Sequence, residues 1–286
     1  MIRLLAFSPS TGVRRDLPPE EISELVALPE TLTWLDLEAP TPAEWQLLRE
    51  EFDFHPLALE DAEHAHQRPK IEHYESFYLM VFYALQREAE GGEEICPREI
   101  ALFVGPNYLV TVHSAPVSAL AQVAQRWHLK SDATPPGLAG LLYAILDALV
   151  DDYFPVIDDL ADAIDDLEDR IFEGMDEGET LLPVFHLKKQ LLLLRRLVAP
   201  ERDVLNVLMR REIPVVSAPS MVYFQDVYDH LVRLTDTIDS LRDLLTSALD
   251  AHLSVVSNRL NQVMRTLTAL SAVLMSAGLI AGIYGM

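Results

Sequence analysis

The sequence predicts a domain of the α/β or α+β class, followed by long helices. The last of these helices continues into a transmembrane helix. Short β-rich runs alternate with short helical runs up to residue 135. Beyond that point, apolar residues recur at spacings of three and four, the period of packed helices. Residues 267–286 then contain no charged side chain. These observations predict a membrane protein with a large water-exposed domain.

The N-terminal domain is predicted to span residues 1–135. Apolar and β-branched runs indicate strands at residues 2–7, 33–37, 77–85, 99–104 and 108–113. Thr41, followed by Pro42 and Glu44, predicts the start of a helix, because a threonine cap and a glutamate three residues later form a capping box around a first-turn proline. Strands and helices therefore alternate along this part of the chain.

Residues 136–218 are predicted to form an acidic helical hairpin. Between residues 151 and 179 there are thirteen acidic side chains and one basic side chain, Arg170. Like charges at this density repel one another unless cations or basic neighbours screen them. The stretch that follows supplies basic residues, among them Lys188 and Arg195. A solvated charged face explains most of these acids.

Residues 219–266 are predicted to form a stalk helix, and residues 267–286 a first transmembrane helix. No proline or glycine occurs between Met221 and Gly278, so the two segments form one helix. The 20 uncharged residues correspond to about 30 Å of helix, enough to cross the hydrocarbon core; a buried core helix is the alternative. Arg259 and Arg265, just before this segment, place the N-terminal domain in the cytoplasm.

Polar and small residues follow one face of this last helix. Steps of four and three residues from Asp250 reach Ser254, Ser257, Asn261, Met264, Thr268, Ser271, Met275, Gly278, Gly282 and Gly285. Small residues also let membrane helices pack closely. The continuation of this face upstream to Asp250 favours a water-filled axis inside a ring of helices. Its hydroxyl and amide oxygens suit the water shell of Mg²⁺, which dehydrates reluctantly.

Composition limits the classes of partner. The formal net charge of −23 disfavours nucleic acid and favours cations, whose hard divalent members bind carboxylate oxygens. Cys96 is the only cysteine, so no internal disulfide and no thiolate zinc cluster can form. A reducing cytosolic environment fits this composition.

Several segments resemble the CorA magnesium transporter family. The likeness is carried by WLDL at 34–37, HPL at 55–57 with EDA at 60–62, QRPKIE at 67–72, YFQDVYDH at 223–230, SNRLNQVM at 257–264 and GIYGM at 282–286. The last of these resembles the Gly-Met-Asn signature as far as its methionine. Independent motifs in the family's order make the likeness specific, and together they cover nearly the whole chain.

The resemblance implies a CorA-like funnel: a homopentamer of the cell inner membrane, multi-pass through a second membrane helix after residue 286. Its cargo would be Mg²⁺, with Co²⁺ and Ni²⁺. Met264 and Leu267 would form a hydrophobic gate, and Asn261 would bind a hydrated ion. The implied pore positions are Asp250, Ser257, Asn261, Met264, Leu267, Thr268, Met275 and Gly282, and the selectivity signature is Tyr284, Gly285 and Met286.

The same resemblance implies a regulatory Mg²⁺ site between neighbouring cytoplasmic domains. Asp226 matches the carboxylate on the stalk helix, and Glu88, in the loop after the strand at residues 77–85, is the expected partner acid. Mg²⁺ bound there would bridge acidic faces that otherwise repel one another, and would hold the ring closed. Loss of this ion at low Mg²⁺ would let the gate hydrate and open.

Two other functions stay open at this point. A zinc transporter of the same architecture, carrying Zn²⁺, is the nearest alternative, although Tyr284 in GIYGM favours the magnesium branch of the family. A tail-anchored acidic scaffold protein needs no continuous polar face. An enzyme is not predicted, because the histidines and acids between His55 and His73 lack the helical spacing of a metal-hydrolase site, and the sequence has no glycine-rich phosphate loop. His230 is predicted to be an ordinary packing or surface residue.

Overall fold

The N-terminal part of the chain is built on one mixed β-sheet. The computed structural model describes residues 1–87, 95–127, 137–173, 177–210, 216 and 218–285. The strands of this part are β1 Ile2–Ser8, β2 Gly12–Arg14, β3 Leu32–Glu38, β4 Lys70–His73, β5 Tyr78–Arg87, β6 Ile95–Val104 and β7 Tyr108–His113. They lie in the order β2-β1-β3-β7-β6-β5-β4. The β3–β7 pair is parallel and the other neighbouring pairs are antiparallel.

The helices fall into a short group and a long group. The described helices are α1 Ile22–Val26, α2 Pro42–Phe52, α3 Pro56–His64, α4 Ser118–Arg126, α5 Leu138–Asp151, α6 Tyr153–Glu173, α7 Glu177–Arg210 and α8 Met221–Tyr284. The predicted α/β domain followed by long helices is confirmed. The second long helix, α7, begins at Glu177, within the acidic stretch of residues 151–179.

The capping box predicted for α2 is present. The Glu44 backbone N–H donates to the Thr41 hydroxyl at 3.3 Å, and the Thr41 N–H donates to the Glu44 carboxylate at 2.6 Å. These two bonds satisfy N–H groups that have no partner inside the helix. The start of α2 is therefore fixed by local sequence alone.

Aromatic rings fill the core between the sheet and the short helices. The ring centroid of Phe54 lies 4.4 Å from that of Phe103 and 4.7 Å from that of Phe77. Tyr108 closes the cluster beside the turn between β6 and β7, where a Cβ on Gly105 would lie 2.1 Å from the Tyr108 ring. Glycine at this turn therefore allows the backbone to approach the tyrosine closely.

The WLDL motif contributes a buried polar network. The Thr111 hydroxyl donates to the Asp36 carboxylate at 2.6 Å and accepts from the Trp34 indole N–H at 3.1 Å. His113 lies with Nε2 3.0 Å from the same carboxylate and Nδ1 2.7 Å from the Ala115 carbonyl oxygen. Burial lowers the pKa of His113, but the hydrogen bond to Asp36, the charge of Asp36 and the bond to Ala115 together outweigh it, and the pKa is raised. This motif therefore joins β3 to β7.

The chain divides into two compact units, residues 1–160 with 190–239 and residues 161–189 with 240–286. In the first, the apolar seams of α6 and α8 are buried as their spacing predicted, for example at Tyr153 and Leu231. In the second, Ile164 and Leu245 are buried in the same way. The three-and-four spacing therefore identified the packed faces of both helices.

Candidate functional site

Three potential metal ligands come together in the first unit. Asp147, Asp226 and His230 each offer one ligand atom, and these atoms lie within 4.8 Å of one another. Asp147 is on α5, whereas Asp226 and His230 are on α8. The two α8 residues are four positions apart and therefore project from the same helical face. Asp226 is exposed, and the other two are partly buried.

The electrostatics of this cluster favour a bound cation. Burial, together with the nearby charge of Asp151, raises the pKa of Asp147 to about 6, and the charge of Asp226 adds to this shift while His230 opposes it. Burial and the charges of Asp147 and Asp226 also raise the pKa of Tyr143 to about 12. Carboxylates that disfavour one another's ionisation are stabilised when a cation lies between them.

The environment of His230 is unusual for a residue that serves only in packing, because one ring nitrogen lacks a hydrogen bond in the part of the chain that the structure describes. Its Nδ1 is buried and has no hydrogen-bond partner within the described ranges. The nearest carboxylate oxygen of Asp151 is 3.8 Å away, and the Phe154 ring meets the imidazole edge-on at 5.5 Å between centroids. A buried nitrogen without a partner is costly. A metal ion or one of its waters would satisfy this atom.

The spacing of the ligand atoms fits a hydrated divalent ion. Two ligands bound directly to Mg²⁺, at about 2.1 Å each, lie at most about 4.2 Å apart. Ligand atoms that all lie within 4.8 Å of one another therefore fit an ion held directly or partly through water. The carboxylates match the oxygen preference of Mg²⁺, and the imidazole nitrogen matches Co²⁺, Ni²⁺ or Zn²⁺ better.

The structure brings Asp226 to this cluster, but it does not test the expected partner. Glu88 lies outside the described residues. The sequence reasoning did not select Asp147, and it gave His230 only a packing or surface role. The available signal was the four-residue spacing of Asp226 and His230 within YFQDVYDH. Asp147 had no such signal, because only the tertiary fold brings α5 to this part of α8.

The polar face of α8 lies in the second unit. Asn258, Asn261, Gln262, Met264, Arg265, Thr268, Ala269 and Ala272 line a groove on this helix. The Thr268 hydroxyl donates to the Met264 carbonyl oxygen at 2.8 Å, which leaves its oxygen free to accept from water. Asp250, Ser257 and Gly282 are also exposed. The side chain of Tyr284 and all of Met286 lie outside the described part.

Apolar side chains of α8 are exposed alongside this face. Leu267 is 60% exposed, Met264 is 64% and Met275 is 76%. Among the described residues, α8 is the one helix long and apolar enough to cross a membrane, and no part of its apolar window is buried. An unburied apolar surface of this extent requires lipid or another chain to cover it.

An α/β domain that continues into a helix of membrane-spanning length and composition defines a membrane protein with a large water-exposed domain. The chain belongs to the CorA family of metal ion transporters: the model of the family described as CorA-like Mg²⁺ transporter protein matches residues 29–286. The resemblance found in the motifs is therefore confirmed.

Individual relatives agree with this assignment. The cobalt/magnesium transport protein CorA of Thermotoga maritima is 34% identical over 242 residues, which cover 84% of this chain and 68% of that protein. The structure of the CorA magnesium transporter of Methanocaldococcus jannaschii superposes with a TM-score of 0.83 at 25% identity, over 99% of this chain and 86% of that one.

The same fold occurs at lower identity. The ZntB cytoplasmic domain of Vibrio parahaemolyticus matches with a TM-score of 0.71 at 15% identity, over 90% of this chain and 99% of that domain. At this identity the likeness concerns the fold alone. The choice of ion must therefore be argued from side chains.

Proposed function

We propose that this chain is the subunit of a homopentameric channel that carries Mg²⁺, with Co²⁺ and Ni²⁺ as further cargo, across the cell inner membrane. The observation that carries the proposal is α8, one uninterrupted helix on which polar positions such as Asn261 and Thr268 share a face within an apolar, fully exposed segment. A single helix cannot enclose water, so a polar face in a membrane calls for a ring of copies. The relatives named for magnesium transport support the choice of cargo.

The proposed pore is lined by the polar face of α8. The amide of Asn261 and the hydroxyls of Ser257 and Thr268 contact the water shell of the ion, and Asp250 forms an acidic collar. Met264 and Leu267 form the apolar constriction that closes by losing water. The remaining positions are Met275 and Gly282, with Tyr284, Gly285 and Met286 as the selectivity signature.

Regulation is proposed at the cluster around Asp226. Intracellular Mg²⁺ binds the carboxylates of Asp226 and Asp147, beside an imidazole of His230 that suits Co²⁺ better than Mg²⁺, and Glu88 of a neighbouring subunit remains the expected further acid. Neutralising these carboxylates at high Mg²⁺ favours the closed ring, and loss of the ion restores their repulsion. The ion shifts the balance only by its different affinity for the two states.

The functional segments follow the order of the chain. Residues 1–135 are the cytoplasmic α/β domain, residues 136–218 the acidic hairpin, residues 219–266 the stalk and residues 267–286 the first transmembrane helix. A second candidate, a zinc transporter of this architecture, is favoured by one observation, the imidazole nitrogen of His230 in the candidate cation site.

The proposal is tested by mass and by uptake. Native mass spectrometry of the detergent-solubilised protein should give five times the mass of one chain. Cells that express the protein should take up Mg²⁺ and slow this uptake as their internal Mg²⁺ rises. A monomeric protein that supports no uptake would contradict the proposal and favour the scaffold function.

The ligand role of His230 predicts a change in ion preference. We expect His230→Leu to weaken Co²⁺ binding by at least about tenfold while changing Mg²⁺ binding little, because Co²⁺ gains more from a nitrogen ligand. Isothermal titration with each ion measures both affinities. Tyr228→Leu, which changes a ring two positions away on the same helix, is the control. Equal losses for both ions would show that the imidazole supports the fold instead of binding metal.

A further inference from the structure

A fully buried carboxyl group belongs to neither of the sites described above. Glu201, on α7, is 0% exposed. Its Oε1 accepts from the backbone N–H of Tyr83 on β5 at 3.0 Å and lies 2.9 Å from the hydroxyl oxygen of Tyr153 on α6. Its Oε2 is buried and has no hydrogen-bond partner within the described ranges. This side chain therefore ties three elements together at one point.

If the Glu201 carboxyl is ionised, there are too few protons for every short contact around it to be a hydrogen bond. The Tyr153 hydroxyl oxygen lies 2.7 Å from the Tyr83 carbonyl oxygen and 2.9 Å from Glu201 Oε1. A hydroxyl has one proton, so it can donate to only one of two acceptors. If Glu201 carries a proton, it donates to Tyr153, and Tyr153 donates to the Tyr83 carbonyl. Both short contacts are then hydrogen bonds.

Within the residues that the structure describes, the surroundings of Glu201 offer no compensating positive charge. No cationic side chain pairs with it in the described part of the chain. The titratable groups nearby are Tyr153 itself, the Asp152 beside it and Tyr83, whose hydroxyl donates to Glu99 on β6 at 3.0 Å. Burial raises the pKa of Glu201 to about 8, although its bonds to Tyr153 and Tyr83 oppose the shift. An unpaired ionised carboxylate in such a place is strongly disfavoured.

We propose that Glu201 is a proton-binding site that holds α7 against β5 and α6 in its neutral form and loosens this attachment when it releases the proton. The reaction is the ionisation of one carboxyl O–H, with the proton leaving to water. After ionisation, the single Tyr153 hydroxyl proton faces two acceptors and can be donated to only one of them, and the buried Oε2 belongs to a charged group while lacking a partner in the described part of the chain. Alkaline conditions therefore act directly on the packing of this unit.

The sign of the pH dependence follows from the proton count. An unfolded glutamate releases its proton near pH 4.3, whereas folded Glu201 keeps it to about pH 8. Between these values the folded state holds one more proton, so unfolding releases it. Stability from this group is complete below the lower value and is lost as pH rises towards the upper one. The unfolding equilibrium constant should rise about tenfold per pH unit in this window on account of Glu201.

The experiment compares the pH dependence of unfolding in the whole protein with that of Glu201→Gln. The chain's 3 tryptophans, Trp34, Trp45 and Trp127, all precede α5 and report on this unit by fluorescence. In Glu201→Gln, whose side chain cannot ionise, the slope of the logarithm of the unfolding constant against pH should decrease by about one. Asp203→Asn, which replaces an exposed acid on the same helix, should keep the wild-type slope. Coincident slopes for wild type and Glu201→Gln would overturn the proposal.

Infrared spectroscopy provides a second measurement on the folded protein. The stretching band of a buried protonated carboxyl should be present in the wild type at about pH 6 and should disappear by about pH 9. Glu201→Gln should lack the band at both values. A wild-type spectrum without the band at the lower pH would also overturn the proposal, whatever the stability of the variant. Neither measurement depends on the proposed transport function.

Discussion

Asp226→Ala is expected to raise the Mg²⁺ concentration needed to protect the protein from proteolysis by at least about tenfold. Asp226 is the exposed carboxylate of the candidate cation site, and Asp147 and His230 both place a ligand atom within 4.8 Å of it. Loss of groups that merely orient ligands costs about 10- to 100-fold in metal affinity, and loss of a ligand should cost no less. Limited proteolysis of the detergent-solubilised protein across a Mg²⁺ titration gives the midpoint.

Asp229→Ala is the matched control for this experiment. Asp229 is an exposed acid three positions along the same helix, and its carboxylate accepts from the Gln225 amide at 2.8 Å. Asp229→Ala removes the same charge as Asp226→Ala, but Asp229 does not belong to the cluster of candidate ligands. If both variants shift the midpoint equally, Mg²⁺ acts through general screening of the acidic surface, and the assignment of a specific site at Asp226 fails.

Asn261→Leu is expected to reduce Mg²⁺ uptake more than a hundredfold. Asn261 lines the polar groove of α8 beside Met264 and Thr268. In a ring of five copies each amide would hydrogen-bond the water shell of the passing ion, and each lost bond costs about 1 kcal/mol. Losing three of these bonds raises the barrier by about 3 kcal/mol, which is over a hundredfold in rate. Uptake into cells that express the variant measures the effect.

Thr266→Leu controls for the change from polar to apolar in the same stretch of helix. The Thr266 hydroxyl donates to the Gln262 carbonyl oxygen at 2.9 Å, and the residue does not line the groove. Thr266→Leu should therefore retain uptake within about twofold of the wild type, because residue 266 lies outside the groove. Equal loss of uptake in both variants would contradict the proposed pore face and would indicate only that this segment must be polar.

Local patterns in the sequence were enough to predict most elements of the fold. The capping box at Thr41 predicted α2, and the spacing of apolar residues predicted the buried faces of α6 and α8. Two short strands, β2 and β4, were not predicted, because three- and four-residue strands carry too little alternation to be distinguished from loops. The parallel pairing of β3 with β7 also could not be predicted, since a long stretch of chain separates them.

The candidate sites also differ in how far local sequence predicts their members. The polar face of α8 is a property of one helix, so its members follow from position along the sequence. The cluster of Asp147, Asp226 and His230 joins two helices far apart in the chain, and no local pattern selects Asp147. Glu201 is a stronger example, because a glutamate on a long helix is expected to be exposed. Only the packing of α6 and β5 around it makes it a buried acid.

By itself, the sequence determined the class of fold, the uninterrupted last helix, the apolar segment at its end and the motifs of the CorA family. Each of these depends on residues close together in the chain or on periods of two, three or four. The tertiary structure decided which carboxylates share a site, which histidine joins them and which acid loses contact with water. These outcomes depend on distances between elements and on burial, and both are set by how the helices and the sheet pack together.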